Sequence, residues 1–143
     1  MEIEQIEQIV REAHGGQKRW NGDDYVTHPI RVSDNMPNKI TQDVALLHDV
    51  MEDTKVTFKD LLNKGVSQEI IEILQLLTRK KGQSYLEYIK EVEKSINNNV
   101  YAATVKIGDL EDNLIDLKKG HMRDKYELAL YLLETKLKEK LNE

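Results

Sequence analysis

Apolar residues recur every three to four positions along most of this chain, and no stretch alternates convincingly with period two. That rhythm predicts amphipathic helices and no sheet. A first helix is expected over Glu2 to Ala13, with Ile3, Ile6, Val10 and Ala13 on one stripe. The polar stretch HGGQKRWNGDDYVT then interrupts the pattern with glycines and charges. His28-Pro29 opens a short helix, with proline in the first turn, where no amide donor is missed. The next helix is expected to be capped by Thr41 and to run to about Asp53. Thr57 starts a short piece stopped by Gly65. Ser67 caps QEIIEILQLLTRK, whose Ile70, Ile73, Leu74 and Leu77 form a core stripe, and Gly82 breaks it. Ser84 opens YLEYIKEVEK. A long helix is expected over about Val100 to Lys119, ended by Gly120. A last one begins near Arg123, with Tyr126, Leu130, Leu133 and Leu137 at helical spacing. The predicted fold class is all-α, a compact bundle of about seven or eight helices in one domain spanning residues 1–143.

Composition narrows the picture. Of 143 residues, 39% are hydrophobic and 33% charged, which suits one soluble domain with one core. The absence of cysteine excludes disulfides, thiolate metal sites and cysteine nucleophiles. No apolar run approaches the ~20 residues needed to cross a bilayer, and the acidic, amphipathic N-terminus is unlike a signal peptide. A cytoplasmic protein without a membrane partner is therefore expected. The net charge of -5 lacks the basic field that nucleic-acid binding requires. A small anionic ligand remains open if basic residues cluster locally. Oligomeric state leaves no mark on the sequence.

The stretch ALLHDVMEDT changes the question from fold to chemistry. On a helix, residues three or four apart share a face, so His48, Asp49, Glu52 and Asp53 form one polar patch behind an apolar run. A surface charge cluster is the competing reading. Two other places weigh against it. YVTHPI sets His28 at a helix start between apolar residues, and VKIGDLEDNLIDL sets Asp109 in mid-stripe. A carboxylate in such a stripe is costly to bury without a compensating charge. A divalent cation would supply it and would draw together His28, His48, Asp49 and Asp109 from three helices. Four protein ligands on an octahedral ion leave positions for water and a substrate oxygen. That arithmetic favours one manganese ion, with iron or zinc as alternatives. A second ion is not expected, because no histidine lies between Asp53 and Asp109. Glu52 and Asp53 would then hold and deprotonate a water whose pKa the metal lowers from 15.7 toward ~7.

HGGQKRWNGDDYVTHPIRV, ALLHDVMEDT and VKIGDLEDNLIDL, in this order, resemble the HD-domain hydrolases of the RelA/SpoT type, by length the stand-alone small alarmone hydrolases. The likeness covers about His14 to Leu117, with a weaker echo in the last helix. It implies an HD-domain fold, manganese, and removal of the 3′-pyrophosphate from guanosine tetra- and pentaphosphate. It also implies that His28, His48, Asp49 and Asp109 hold the metal and that Glu52 and Asp53 activate water. Arg19 and Tyr25 match the arginine and tyrosine of a substrate loop. Asn113 matches a nucleotide contact, and Tyr126 a tyrosine near the substrate.

Departures accompany the likeness. Trp20 stands where the family usually has lysine, and it could stack on a base. Leu110 and Ile115 stand where basic residues are usual, so a thinner positive field is expected, with Lys18, Lys106, Arg79, Lys80 or Arg123 as replacements. Two other readings follow. One is a phosphohydrolase for another nucleotide, such as an adenosine alarmone or the 2′-phosphate of NADPH. The other is a non-catalytic nucleotide-binding module, against which Glu52 and Asp53 argue. His14 reads as structural, His121 as a solvated turn residue, and Asp112 and Asp116 as solvated. The run TRKKG reads first as a helix end whose basic residues meet the dipole, and second as a phosphate contact.

Overall fold

Four helices start where a short polar side chain takes up a free backbone amide. The Asn38 side chain accepts from the Thr41 amide at 2.9 Å, Thr57 from Asp60 at 3.1 Å, Ser67 from Ile70 at 3.3 Å and Ser84 from Glu87 at 3.1 Å. The computed structural model describes residues 1–142, which carry nine helices and no strand. They are α1 (Ile3–Ala13), α2 (Thr27–Asp34), α3 (Lys39–Leu47), α4 (Val50–Asp53), α5 (Phe58–Asn63), α6 (Gln68–Leu77), α7 (Tyr85–Ser95), α8 (Tyr101–Asp116) and α9 (His121–Leu141). The all-α expectation holds. None of the described helices is long and apolar enough to cross a membrane.

α8 is the central helix and packs against α2, α3, α6, α7 and α9. Leu46, Leu47, Leu74, Ile89, Leu110 and Leu133 are among the fully enclosed side chains around it. Burial of each such side chain contributes roughly 1.5–3 kcal/mol. Gly108 lets α8 approach α2 closely, since a Cβ there would lie 2.6 Å from the Met36 methyl and 3.3 Å from Val32 Cγ1. That approach brings Asp109 on α8 beside His28 on α2.

The ends of several helices differ from the sequence expectation. Thr41 is not the cap of α3. Asn38 is, and the Thr41 hydroxyl lies against the Asn38 carbonyl and side chain. The motif helix does not run unbroken to Asp53, which is why nine helices appear. It stops at Leu47, turns at His48-Asp49 and resumes as α4. His48 folds its Nδ1 back onto the Ala45 carbonyl, the acceptor that a continuous helix would offer to the Asp49 amide.

α6 likewise stops at Leu77, before the basic run. The Thr78 hydroxyl donates to the Leu74 carbonyl and Thr78 turns extended, so Arg79, Lys80 and Lys81 lie in a loop instead of a helix end. α8 ends at Asp116, where Arg123 donates to the carbonyls of Leu114 (2.8 Å) and Leu117 (2.6 Å). Gly120 therefore precedes α9 and does not terminate α8.

Candidate metal centre

Three packed segments bring four side chains to one point. His28 comes from the start of α2, His48 and Asp49 from the turn between α3 and α4, and Asp109 from the middle of α8. One ligand atom from each lies within 4.8 Å of all the others. Asp109 Oδ1 stands 2.7 Å from His28 Nε2 and 3.0 Å from His48 Nε2. Asp49 Oδ2 stands 3.0 Å from His48 Nε2 and 3.8 Å from His28 Nε2. The imidazole rings sit 5.5 Å apart in an edge-on arrangement.

The second nitrogen of each ring shows which groups face the centre. His48 Nδ1 meets the Ala45 carbonyl, which can only accept, so that nitrogen carries a proton. His28 Nδ1 meets Asp112 Oδ2 at 2.6 Å, an acceptor of the same kind. Both Nε2 atoms are left to face carboxylate oxygens. Lone pairs and carboxylates at that separation repel unless positive charge stands between them. Burial disfavours the imidazolium form of His48, yet Asp49 and Asp109 outweigh burial and push its pKa well above the ordinary range. Burial would raise both carboxyls, but Lys106 and His48 hold Asp109 well below its usual value, and His48 holds Asp49 at about 2. The pocket thus demands cationic charge, and two imidazoles with two carboxylates match a borderline-to-hard divalent metal.

Glu52 and Asp53 project from α4 beside this cluster. Glu52 Oε1 accepts the Arg79 backbone amide at 2.6 Å. The Tyr25 hydroxyl lies 2.8 Å from Asp49 Oδ2 and 2.9 Å from Asp53 Oδ2, so one phenol bridges the ligand and its neighbour. Burial and then the nearby Asp49 charge raise the pKa of Asp53; burial, then Asp49 and Asp53, raise that of Glu52 against the Arg79 amide. Lys106 Nζ donates to Asp109 Oδ2 at 2.8 Å and lies 5.3 Å from the Tyr88 ring centre.

The cluster forms the floor of a cleft of about 840 Å³, within the usual size of small-molecule sites. The structure brings every sequence-predicted site residue to this cleft: His28, His48, Asp49 and Asp109, then Glu52 and Asp53, then Arg19, Trp20, Tyr25, Asn113 and Tyr126. Asn113 Nδ2 donates to Asp109 Oδ1 at 3.2 Å, and its Oδ1 accepts from Arg19 at 3.4 Å. The Arg19 guanidinium lies 4.7 Å from the centre of the Trp20 ring, and its Nη1 has no hydrogen-bond partner. Trp20 is 53% exposed. Across the cleft, Tyr126 faces Tyr85 with ring centres 5.9 Å apart.

Other expectations are corrected. Leu110 is fully enclosed in the core and Ile115 is 73% exposed outside the cleft, so neither position could lend charge to it. Lys18, Lys106, Arg79 and Lys80 do line the cleft, with Lys81 and Lys125, whereas Arg123 is engaged at the end of α8. Counting Arg19, seven basic side chains stand against four carboxylates there. An acidic chain therefore presents a cleft suited to an anion. His14 is buried, bonded to Gln17 and set against the Tyr25 ring at 4.7 Å, away from the cleft lining. His121 and Asp116 are exposed, as expected, but His121 is the first residue of α9 and not part of a turn.

Asp112, where the sequence predicts a solvated acid, is buried. Arg31 Nε donates to its Oδ1 at 2.9 Å and Nη2 to its Oδ2 at 3.1 Å, beside the His28 contact. Burial works to raise its pKa, but His28 and Arg31 hold it at about 2. The one signal in the sequence was spacing: Asp112 follows Asp109 by three residues, as Arg31 follows His28.

Comparison with known proteins bears on the fold and the family. No protein-family model matches the chain. The bifunctional (p)ppGpp synthase/hydrolase SpoT of Escherichia coli strain K12 is 31% identical over 117 residues, 74% of this chain and 16% of that protein. The "GTP pyrophosphokinase rsh" of Brucella ovis is 30% identical over 131 residues, 82% of this chain and 17% of that protein. The chain thus spans about a sixth of the length of the curated relatives it matches. A solved structure described as a metazoan ortholog of SpoT that hydrolyses ppGpp superimposes with a TM-score of 0.73, at 24% identity, over 97% of this chain and 93% of that one.

Proposed function

Because this chain belongs to the HD-domain family of the RelA/SpoT type, we propose that it is a metal-dependent phosphohydrolase that removes the 3′-pyrophosphate of guanosine tetra- and pentaphosphate. The observation that carries this reading is the meeting of His28, His48, Asp49 and Asp109 at the floor of a cleft lined by basic side chains, with the Glu52 and Asp53 carboxylates beside them. Manganese is our choice of ion from the donor set, with iron or zinc as alternatives. The relatives named for this nucleotide support the substrate.

When bound, a divalent cation would supply Lewis acidity, easing deprotonation of water and neutralising phosphate charge. The chain's own residues supply the rest. Glu52 and Asp53 take the proton as water adds to the phosphorus next to the ribose. Burial raises both carboxyls, which makes each a stronger base than a solvated carboxylate. The bond from that phosphorus to the ribose 3′-oxygen breaks, and the oxygen receives the proton that the carboxylates took from water, leaving as a hydroxyl with pyrophosphate released. Tyr25 orients Asp49 and Asp53 against each other, while the Arg79 amide fixes Glu52. Lys18, Lys106 and the Arg79–Lys81 run face the phosphates. Exposed Trp20 offers a flat face to the base with the buried Arg19 guanidinium against its ring, and Asn113 and Tyr126 border the sugar. We place this chemistry in one cytoplasmic domain with a small nucleotide as its partner.

Incubating the purified chain with Mn²⁺ and guanosine tetraphosphate tests the reading. The expected products are GDP and pyrophosphate, separated by ion-exchange chromatography; an intact nucleotide contradicts the substrate. One observation favours a second reading: exposed Trp20 offers stacking where the family resemblance expects a lysine charge. A base other than guanine is compatible with that exchange. A panel including adenosine alarmones and NADPH, scored separately for phosphate and pyrophosphate, separates the two.

A further inference from the structure

The two imidazoles of the cluster are anchored by different partners. His48 leans on a neutral backbone carbonyl of its own helix, whereas His28 leans on a carboxylate brought from another helix. That carboxylate, Asp112, is 7% exposed and is gripped on both oxygens by Arg31. Arg19 Nη2 also stands 3.8 Å from its Oδ2. Two cationic side chains and one imidazole therefore converge on a single buried acid one helical turn beyond Asp109. An ion pair that served only to join α2 and α8 would have no need of the imidazole. Here the oxygen that meets Arg31 Nη2 also meets His28 Nδ1.

We infer that Asp112 is a positioning residue: it fixes His28 with the proton on Nδ1, so that Nε2 turns its lone pair to the cation, and Arg31 holds Asp112 in place for this. The inference rests on reading the four-residue cluster as a cation site. An anionic partner does two things a carbonyl does less well. It excludes the opposite tautomer, which would aim an N–H at the cation, and it makes Nε2 a stronger donor. The carboxylate acts through His28 and touches neither cation nor substrate. Arg31, whose side chain is 40% exposed, orients the carboxylate from the far side.

The test uses the full chain and Zn²⁺ as a diamagnetic probe. In nitrogen-edited spectra of the Zn²⁺-loaded protein, His28 is expected to show a protected Nδ1 proton and a metal-bound Nε2. Zn²⁺ affinity, measured against a chromophoric chelator, should fall about 10- to 100-fold in Asp112→Asn, and by a smaller factor in Arg31→Gln. A purely structural salt bridge would lower the melting temperature in both variants yet leave affinity and tautomer unchanged, and that result overturns the inference. So does a wild-type His28 lacking the Nδ1 proton, a measurement that needs no variant to fold. His28→Gln separates the two levels. If it weakens Zn²⁺ binding while Asp112→Asn does not, only the role of Asp112 falls. If neither weakens it, the cation site falls as well.

Discussion

The floor of the cleft and its walls are built from different material. The floor consists of side chains on packed elements: His28 on α2, His48 and Asp49 at the α3–α4 turn, and Asp109 on α8, all held by the core beneath. Much of the wall comes from two connecting segments, one carrying Lys18, Arg19 and Trp20 and the other Arg79, Lys80 and Lys81. The floor is specified by helix packing, so small displacements there are costly. The wall carries exposed lysines on long stems and exposed Trp20, which can change with little loss of fold, whereas Arg19 is buried and tied to Asn113, Asp112 and Asp116. The residues we assign to chemistry therefore sit mainly on packed helices, and most of those we assign to recognition on connecting segments.

Substitutions on the two sides should separate cleanly. The largest effect is expected at Asp109. Asp109→Ala removes a cation ligand and leaves Lys106 and both imidazoles without their shared counter-charge. Loss of hydrolysis should accompany a stability loss of about 3–5 kcal/mol in denaturant unfolding; an active, equally stable variant would break the distinction between floor and wall. Glu52→Gln should leave fold and cation affinity intact and lower kcat about 10²- to 10⁴-fold, read in steady-state kinetics. Full activity would remove Glu52 from the role of base.

Next comes Leu110, enclosed by core on α8 directly after Asp109. Leu110→Ala should cost about 2–5 kcal/mol of stability while leaving the KM for nucleotide unchanged; a raised KM would place this position on the wall after all. Trp20→Ala should do the opposite. Its melting temperature should stay as it was while KM rises by roughly the 1–3 kcal/mol of one stacked base. An unchanged KM would return Trp20 to surface packing.

The same division governs what could be read from the chain. Helix identity and the meeting of four His and Asp side chains were legible: apolar residues recur every three to four positions, and His28, His48, Asp49 and Asp109 stand as costly polar groups within or beside apolar stripes. Three features escaped. The break at His48 depends on an imidazole preferring its own Ala45 carbonyl to solvent. The early end of α6 depends on Thr78 bonding back to Leu74 and releasing the basic run toward the cleft. Asp112 looked like any acid on an exposed face, since only the approach of α2 at Gly108 reveals that His28 and Arg31 cover it. The first two turn on a local choice, a side chain bonding back to its own helix, that apolar periodicity does not register; the third is set by what lies opposite in space.

We propose that a single divalent cation binds among His28, His48, Asp49 and Asp109. Metal-free protein titrated with Mn²⁺ and followed by electron paramagnetic resonance should show one tight site per chain, lost in His48→Gln and in Asp49→Ala. Absence of a tight site, or its survival in both variants, would rule this cation out.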